Sequence, residues 1–277
     1  MKNETKPVNS RETMWSIVIP AYNEARRLPR TLQAATAYME QRAESYEILV
    51  VDDGSRDDTT AVVASFAANT HLQYGTVTPL RYDVNQGKGH AVRYGILRTC
   101  GDRVLFMDAD LATPMEELEK LEAVLDSANG TEVAIGSRPL KESELVKRQP
   151  LLREMCGRMF NVVVQTLAAP GILDTQCGFK LFTRQSAQEI FRRCTLNGFS
   201  FDVESIFLAR KLGYRVAEVP VRWEHQEGAA AFSTPAAYLR HGVRMVRDLL
   251  RIRRIHRAVQ PVVLASDTAR EAIPPSS

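Results

Sequence analysis

Short apolar runs alternate with longer amphipathic stretches from residue 15 onward, and this alternation constrains the fold more than any other feature. The pattern is typical of repeated strand–helix–strand units, which build a mostly parallel sheet covered by helices. We therefore predict an α/β protein. Its predicted strands span residues 15–20, 47–51, 77–81, 103–107, 132–135 and 179–182, and its predicted helices span residues 25–43, 58–68, 89–98, 114–127 and 151–167.

The chain has 277 residues, 44% hydrophobic and 25% charged, which suits one folded domain. Its formal charge of +3 is too small to indicate a nucleic-acid-binding protein. No apolar run approaches the roughly 18 residues that a membrane-spanning helix needs, and the polar N-terminus lacks a signal-peptide core. We expect a cytosolic protein with reduced cysteines and four segments: a disordered N-terminus (1–13), one domain (14–235), a basic helix (236–257) and a flexible tail (258–277).

The sharpest motif is the apolar strand 103–107, which runs directly into two carboxylates, Asp108 and Asp110. The period-two geometry of a strand places both on the same side. Oxygen ligands of this kind suit Mg²⁺ or Mn²⁺, whose coordination is completed by phosphate oxygens and water. The alternative is that the two acids only end the strand and cap the turn before Thr113, the predicted N-cap of the next helix.

Polar residues also follow the other predicted strands. Asp52 and Asp53 end the second strand, and adjacent acids repel each other unless they bind a donor such as a base N–H, a ribose hydroxyl or a cation. Lys88 lies between two glycines at a predicted helix start, where backbone N–H groups and the helix dipole favour an anion. Because ligands of α/β sheets collect at the carboxyl ends of strands, we predict a nucleotide site there.

These motifs, in this order and spacing, resemble family 2 glycosyltransferases of the GT-A fold, a Rossmann-like, mostly parallel sheet flanked by helices. The segments that carry the resemblance are Pro20-Ala21-Tyr22-Asn23-Glu24, Asp52-Asp53-Gly54-Ser55, Gly87-Lys88-Gly89 and Asp108-Ala109-Asp110. Later segments narrow it to the dolichyl-phosphate β-glucosyltransferase type; these are Gly136-Ser137-Arg138, residues 174–182, Phe201-Asp202-Val203-Glu204 and Trp223. The resemblance covers residues 15–254, and the run 174–182 is its most specific part.

The resemblance implies transfer of a hexose, glucose from UDP-glucose, to a polyprenyl or dolichyl phosphate with inversion at the anomeric carbon. It implies that Asp108 and Asp110 hold Mg²⁺ or Mn²⁺ on the diphosphate, where the metal offsets charge developing on the leaving group. It places Lys88 near the diphosphate and Arg138 against phosphate oxygens of donor or acceptor. The residues implied to hold the nucleoside are Pro20, Tyr22, Glu24, Asp52 and Asp53, and the motif Asp108-Ala109-Asp110 completes the donor site.

A hydroxyl acceptor would need a general base, for which Asp202 or Glu204 could serve. A lipid phosphate needs none, because a phosphate monoester with a second pKa of about 6 is mostly dianionic near neutral pH. The structural alternative for Asp202 is the N-cap of a helix. The catalytic candidates are thus Asp202, Arg138 and Asp110.

Two departures from the family's pattern concern the acceptor. From the apolar runs of this sequence we expect no hydrophobic anchor of the kind usual in the family, and after Glu227-Gly228 the expected Ser-Lys is replaced by Ala229-Ala230. Four alternatives therefore stay open: a GDP-mannose-dependent polyprenyl-phosphate mannosyltransferase, a family 2 transferase with a hydroxyl acceptor, a sugar-phosphate nucleotidyltransferase, or an inactive nucleotide-sugar-binding module. The nucleotidyltransferase is disfavoured because residues 20–27 lack the glycines that let a backbone approach a triphosphate.

Residues 236–257 contain seven Arg and one Asp, so the rest of the chain carries a net charge of −3. The arginines at helical spacing are Arg240, Arg244, Arg247, Arg251 and Arg254, and the apolar stripe beside them is Leu239, Val243, Val246 and Leu250. Such a face suits an anionic membrane surface or a membrane-anchored partner, and would hold the protein peripherally on the cytosolic side. The alternative is that the stripe packs on the protein's own body while the arginines are solvated.

Overall fold

The computed structural model describes residues 14–127, 129–147, 164–166, 168–224 and 235–262, apart from the side chains of 145–147 and 235–241. The strands in these ranges are β1 (Trp15–Ala21), β2 (Tyr46–Asp53), β3 (Gly75–Tyr82), β4 (Arg103–Met107), β5 (Thr131–Ser137), β6 (Leu145–Lys147), β7 (Phe179–Thr183), β8 (Arg215–Pro220) and β9 (Trp223–Glu224). Seven of them form one sheet in the order β3-β2-β1-β4-β7-β5-β8, and β6 pairs with β9. All neighbours in the large sheet are parallel except β7, which is antiparallel to β4 and β5. The predicted α/β sheet is confirmed, and each predicted strand lies within two residues of the observed one.

Besides the helical residues 164–166, the α-helices of the described residues are α1 (Leu28–Arg42), α2 (Thr59–Asn69), α3 (Lys88–Ile96), α4 (Leu118–Leu125), α5 (Arg184–Arg193), α6 (Phe201–Lys211) and α7 (Pro235–Ile255). A 3₁₀ turn, Met115–Glu117, precedes α4. The prediction of Thr113 as the N-cap is wrong, because Pro114 is itself extended and flanks that turn without a side-chain cap. A proline also disfavours helical geometry at the residue before it. The predicted helix 151–167 lies mostly outside the described ranges.

Both faces of the sheet are buried, which explains why its strands read as continuous apolar runs. On β4, Leu105 and Phe106 belong to two different hydrophobic clusters, one on each face. Helices α1, α2 and α4 contribute to the Leu105 cluster, whereas α3, α5, α6 and α7 contribute to the Phe106 cluster. Burial of such a side chain stabilises the fold by about 1.5–3 kcal/mol, so these two layers fix the central strands.

The register of the central strands brings three carboxyl ends to one edge of the sheet. Ala21, the last residue of β1, pairs with Asp52 of β2, and Val18 pairs with Phe106 of β4. The turn after β1, the acids of β2 and the exit of β4 therefore share this edge. It is the position where open α/β sheets bind ligands.

Helix α7 has one face on the protein body and one face exposed. The buried side chains recur at helical spacing and are Met245, Leu249 and Ile252. Val243, Val246 and Leu250 are 54%, 36% and 55% exposed, so the alternative that this stripe packs on the body is wrong for these three. In the described part of the chain, no helix has the length and apolar character needed to cross a bilayer.

The chain stays on the protein body directly after α7. Val262 N donates to Leu212 O at 2.8 Å, and Val259 and Val262 pack against the core. The predicted flexible tail over 258–277 therefore differs from the structure at residues 258–262. The remainder of that tail and the predicted disordered N-terminus, residues 1–13, lie outside the described ranges.

Candidate active site

The chain turns sharply after β4 and brings Asp108 and Asp110 to the sheet edge. Leu111 has a φ of +52°, in the left-handed region that residues other than Gly, Asn and Asp rarely adopt. Ala112 N donates to Asp110 Oδ1 at 3.2 Å and closes the turn. Apart from this contact and one lysine, the hydrogen bonds of the described residues supply no side-chain or backbone donor to these two carboxylates.

Two neighbouring elements hold the backbone of this motif. The Thr31 hydroxyl of α1 donates to Ala109 O at 2.7 Å, and Asp108 N donates to Gly178 O at 3.0 Å. A Cβ atom on Gly178 would lie 2.0 Å from Asp108 Oδ2, so any larger residue would force the carboxylate out of this position. The Ala109 side chain is buried in the core, and this residue spaces the two acids.

The lysine beside this motif is Lys88, the first residue of α3, whose Nζ lies 2.6 Å from Asp108 Oδ1. Burial lowers the pKa of Lys88, but Asp108 and Asp202 outweigh burial and the pKa is raised. The ammonium group therefore stays charged. The structure brings Lys88 and the predicted metal motif together.

Negative charge is concentrated around Asp110. Burial raises the pKa of Asp110, and the neighbouring Asp108 raises it further. Burial likewise raises the pKa of Glu24, although Arg27 forms a two-pronged ion pair with its carboxylate. Arg27 Nη1 is buried and has no hydrogen-bond partner within the described ranges. A cation bound between Asp108 and Asp110 would relieve this charge.

Asp52, predicted to hold the nucleoside, is almost fully buried and is surrounded by donors from the protein itself. Its carboxylate accepts from Ser55 N at 2.8 Å, from Arg81 Nη1 at 2.7 Å and from the Thr60 hydroxyl. Adjacent acids need such donors, as the sequence predicts. Here the donors are the protein's own groups, so Asp52 has a structural part in shaping the loop after β2.

Asp53 has the same kind of surroundings. Its two oxygens accept from Gln86 N at 2.7 Å and from Gly87 N at 2.9 Å. These donors belong to the loop that leads directly into Lys88. Asp53 therefore ties the end of β2 to the start of α3, and in this way it holds the loop that carries the lysine.

The turn after β1 is fastened to the loop after β2. Pro20 is buried within β1, whereas Tyr22 is 40% exposed at the edge. Asn23 has a φ of +56°, a conformation that asparagine tolerates, and its N–H donates to Ser55 Oγ at 2.9 Å. Of the predicted nucleoside residues, Tyr22 is the one that presents a large surface to solvent.

Arg138 lies just beyond β5 and is held by a bidentate contact. Its Nε and Nη2 donate to Asp174 at 2.6 and 2.9 Å, and its guanidinium lies 5.3 Å from the Trp223 ring centre. Burial raises the pKa of Asp174, but Arg138 outweighs burial, and the pKa is lowered. Strands β4 and β5 both run antiparallel to β7, so their carboxyl ends lie at the same sheet edge, and Arg138 after β5 lies on the same edge as Asp108 after β4.

Asp202 is a buried member of the site. It lies in the first turn of α6, and its carboxylate forms an ion pair with Lys180, whose Nζ also donates to Cys177 O at 2.6 Å. Burial raises the pKa of Asp202, even though Lys180 and Lys88 act in the opposite direction. The N-cap alternative is wrong, because the N-cap position of α6 is Ser200.

Glu204 differs from Asp202 because it does not face the site. Its carboxylate is fully buried and accepts from Thr195 N and Oγ1, from Leu196 N and from His256 Nε2. All of these donors are fixed parts of the fold. The suggestion that Glu204 could act as a general base is therefore wrong.

Three residues of the site have no role in the sequence prediction: Lys180, Asp174 and Arg27. Lys180 does leave a signal, because it is a lysine inside the apolar run 179–182, where a charge requires a buried partner. The sequence does not identify that partner, since Asp202 lies 22 residues away. Arg27 leaves no such signal.

The carboxylates present fit a divalent cation that shares its coordination with a substrate. In the described part of the chain, no three His, Cys, Asp or Glu side chains form a group that could hold a metal ion unaided. Asp108 and Asp110 offer carboxylate oxygens, and Mg²⁺ typically takes one or two carboxylates together with substrate phosphates. Residues 227–231, where the family's Ser-Lys is replaced, lie outside the described ranges.

Comparison with known proteins assigns the fold and the family. The profile of Glycosyl transferase family 2 matches residues 16–191, more than half of the chain. The chain belongs to this family.

A dolichyl-phosphate beta-glucosyltransferase of Dictyostelium discoideum is 38% identical over 248 residues, 86% of this chain and 73% of that protein. The enzyme of the same name from Homo sapiens is 38% identical over 225 residues, 77% and 68% of the two chains. The predicted resemblance is confirmed, and the nucleotidyltransferase alternative is removed.

Two solved glycosyltransferase structures share the fold. Mannosyl-3-phosphoglycerate synthase from Rubrobacter xylanophilus has a TM-score of 0.60 at 20% identity, over 96% of this chain and 78% of that chain. Glucosyl-3-phosphoglycerate synthase from Mycobacterium tuberculosis, in complex with Mn²⁺ and UDP-glucose, has a TM-score of 0.60 at 18% identity, over 91% and 81%. The predicted GT-A arrangement is confirmed.

Proposed function

We propose that this family 2 glycosyltransferase moves glucose from UDP-glucose to a polyprenyl or dolichyl phosphate, with inversion at the anomeric carbon. The observation that carries the proposal is that Asp108 and Asp110 share one sheet edge with two cations: Lys88 pairs with Asp108, and Arg138 follows β5, whose carboxyl end lies at the same edge as that of β4. Such a group suits a metal-bound diphosphate beside a second phosphate. The names of the relatives support glucose as the transferred sugar and dolichyl phosphate as the acceptor. The complex of glucosyl-3-phosphoglycerate synthase with Mn²⁺ and UDP-glucose supports UDP-glucose as the donor.

In this proposal the nucleoside lies between the turn after β1 and the end of β2. Tyr22 offers its exposed ring to the base, while Pro20 and Glu24 shape the turn. Asp52 and Asp53 already accept protein donors, but a carboxylate has about four acceptor positions, which leaves capacity for a base N–H or a ribose hydroxyl.

Asp108 and Asp110 would hold Mg²⁺ or Mn²⁺ on the diphosphate, where the ion supplies Lewis-acid stabilisation of the departing UDP. Lys88, now paired with Asp108, would exchange that partner for a diphosphate oxygen. Arg138, oriented by Asp174, would bind phosphate oxygens of donor or acceptor through its planar fork.

An oxygen of the acceptor phosphate forms the new bond to the anomeric carbon as the bond to UDP breaks. Because that phosphate is mostly dianionic near neutral pH, the reaction needs no general base. Asp202 would then act through its buried ion pair with Lys180, as a positioning group and not as a base. We expect Asp202→Asn/Lys180→Met, which removes both charges of the buried pair, to retain measurable turnover on a short polyprenyl phosphate. Near-complete loss of turnover with UDP-glucose binding intact would instead argue for a required base.

The donor is tested by thermal shift with UDP- and GDP-sugars, with and without Mn²⁺, followed by turnover on polyprenyl phosphates. The expected result is Mn²⁺-dependent stabilisation by UDP-glucose and formation of a lipid-linked hexose. Stabilisation by GDP-mannose alone would favour the mannosyltransferase alternative. Binding without any turnover would favour an inactive nucleotide-sugar-binding module.

We further propose that the protein works peripherally on the cytosolic face of a membrane. The exposed face of α7 supports this, because Val243, Val246 and Leu250 lie beside a row of arginines that suits anionic lipid headgroups. Each cation close to an anionic surface contributes about 1 kcal/mol. The row within the described side chains is Arg244, Arg247, Arg251 and Arg254.

Flotation with liposomes of anionic and of neutral lipids tests the membrane contact. We expect salt-sensitive binding to anionic liposomes, and we expect Arg244→Gln/Arg247→Gln/Arg251→Gln to lose most of it. The matched control removes three exposed arginines elsewhere, as Arg30→Gln/Arg98→Gln/Arg192→Gln, and should bind as the wild type does. Equal loss in both triple variants, or no binding by the wild type, would reject this contact.

A further inference from the structure

Glu204 is a buried carboxylate that the proposed reaction does not use. It receives Thr195 N at 3.0 Å, Thr195 Oγ1 at 2.9 Å and Leu196 N at 2.8 Å from one side, and His256 Nε2 at 2.7 Å from the other. Because an ionised carboxylate only accepts, Nε2 of His256 carries the proton in this contact. Burial raises the pKa of Glu204, but these donors outweigh burial and lower it, so the group is ionised.

The segment that Glu204 holds, residues 195–198, lies directly against the backbone on both sides of Lys88. Asn197 O accepts Gly89 N at 2.8 Å. A Cβ atom on Gly87 would lie 2.5 Å from Asn197 O, and one on Gly89 would lie 2.4 Å from Leu196 O. There is no space between the two backbones, so a displacement of the segment would displace Lys88.

Residues from the C-terminal helix region complete this arrangement. His256, directly after α7, is 4% exposed and reaches Glu204. Within α7, Asp248 accepts from the Ser200 hydroxyl at 2.7 Å, at the start of α6. A continuous series of contacts thus runs from His256 through Glu204 and residues 195–197 to Gly89 and Lys88, and ends at Asp108.

We propose that Glu204, locked by His256, is a positioning residue that fixes Lys88 for the donor diphosphate. The proposal rests on the function given above, because it assumes that Lys88 contacts the diphosphate. It assigns the two acids of the motif Phe201-Asp202-Val203-Glu204 different tasks: Asp202 faces the charged site, whereas Glu204 holds the loop that supports Lys88 from behind.

The test compares three variants by the dissociation constant of UDP in Mn²⁺ and by KM and kcat for UDP-glucose. His256→Phe removes the donor to Glu204, and we expect UDP binding and KM to weaken by about tenfold, the lower end of what loss of an orienting partner costs. His256→Gln can donate from a similar position and should recover most of the affinity. Glu189→Gln, a glutamate of α5 whose partners are Arg192 and Arg193, is the matched control and should bind as the wild type does.

A double-mutant cycle with Lys88→Met separates positioning from a general loss of structure. If Glu204 and His256 act through Lys88, adding His256→Phe to Lys88→Met will leave UDP affinity unchanged. Additive losses would overturn the proposal. If His256→Phe does not fold, Thr195→Val replaces it, because it removes one donor to Glu204 and keeps the side-chain shape.

Different results would overturn the proposed function and the positioning role of Glu204. A wild-type protein that does not bind UDP in Mn²⁺ would overturn the proposed function. A wild-type protein that binds UDP normally, with His256→Phe and Thr195→Val unchanged in affinity, would overturn only the positioning role.

Discussion

Two pairs of carboxylates lie at the same sheet edge, one after β2 and one after β4, and their surroundings are opposite. Asp52 and Asp53 accept hydrogen bonds from protein donors on each of their oxygens. Asp108 and Asp110 receive only Lys88 and one backbone N–H among the described residues. In sequence both pairs are acids that end an apolar strand, so the sequence pattern alone does not separate them.

This difference separates the acids that hold the loops of the site from the acids whose oxygens are available to a ligand. A carboxylate that accepts hydrogen bonds from enough donors is stabilised in its charged form. Asp174 and Glu204 are examples, because their donors outweigh burial and lower their pKa values. An acid without enough donors resists ionisation, as for Asp110, whose pKa is raised by burial and by Asp108. Substitution should therefore cost stability in the first class and function in the second.

The largest effect is expected for Asp110→Asn. Glucose transfer should fall by about 10²–10³-fold, the size of loss seen when one group that stabilises developing charge is removed. The melting temperature should stay the same or rise, because the substitution removes a buried charge that has a single backbone donor and lies beside the charge of Asp108, and the amide oxygen of Asn can keep that donor. Kinetics and thermal unfolding on one preparation measure the transfer rate and the melting temperature. A variant that is less stable but still active would contradict the distinction between the β2 and β4 carboxylates.

Gly178→Ala should disturb the Asp108 and Asp110 pair by a steric clash. The added Cβ would meet Asp108 Oδ2 at 2.0 Å and push the carboxylate away from the diphosphate. We expect transfer to fall by about 10²-fold, as for a misplacement of about 1 Å. Gly171→Ala, where a Cβ meets nothing within 4 Å, serves as a control for added bulk, although its φ of +75° adds some strain. Wild-type kinetics in Gly178→Ala would show that Asp108 has more freedom than the contact implies.

Asp174→Asn should cost stability in a pH-dependent way. It leaves Arg138 without its partner, and the loss at neutral pH should approach, and not exceed, the about 3–5 kcal/mol typical of a broken buried pair, since Arg138 is partly exposed. The pKa of Asp174 is lower in the folded state than in the unfolded chain, so its contribution is complete above about pH 4 and is lost as the pH falls through the folded value. Urea unfolding from pH 7 to pH 3.5 should show the gap to the wild type narrowing; a constant gap would contradict this.

The smallest effect is expected for Asp53→Asn. One amide N–H₂ would face the backbone N–H of Gln86 or Gly87, and one buried hydrogen bond would be lost, at a cost of about 1–3 kcal/mol. Since that loop leads into Lys88, KM for UDP-glucose should rise modestly while the metal dependence persists. Thermal unfolding and initial rates measure these; a kcat loss as large as that of Asp110→Asn would remove the distinction between the pairs.

Most of the fold can be predicted because strands buried on both faces of a parallel sheet have continuous apolar sequences. The strand 103–107 was predicted with its observed bounds, since polar or turn residues flank an uninterrupted apolar run. The start of α4 was not, because the extended Pro114 and a 3₁₀ turn delay the helix. The apolar stripe of α7 was identified, but its exposure was not, since Leu249 and Val246 are equally apolar in sequence and only packing separates them.

The sequence predicts which strand ends form the site, but it does not predict which side chains pair with each other there. Asp108, Asp110 and Lys88 follow from position alone and do come together. The partnership of Lys180 with Asp202 and that of Glu204 with His256 join residues 22 and 52 positions apart, which no local spacing reveals. For Asp52 and Asp53 the sequence predicts donors from a nucleotide or a cation, whereas the structure shows donors from the protein's own loops, which no local pattern reveals.

The most direct test of the account is calorimetric binding of UDP, in Mn²⁺ and in chelator, to the wild type, Asp110→Asn and Asp53→Asn. We expect Mn²⁺ to tighten UDP binding in the wild type and in folded Asp53→Asn, and to have no effect on UDP binding in Asp110→Asn. Retention of the Mn²⁺ effect in Asp110→Asn, or its loss in folded Asp53→Asn, would contradict the assignment of the β4 pair to the metal-bound diphosphate.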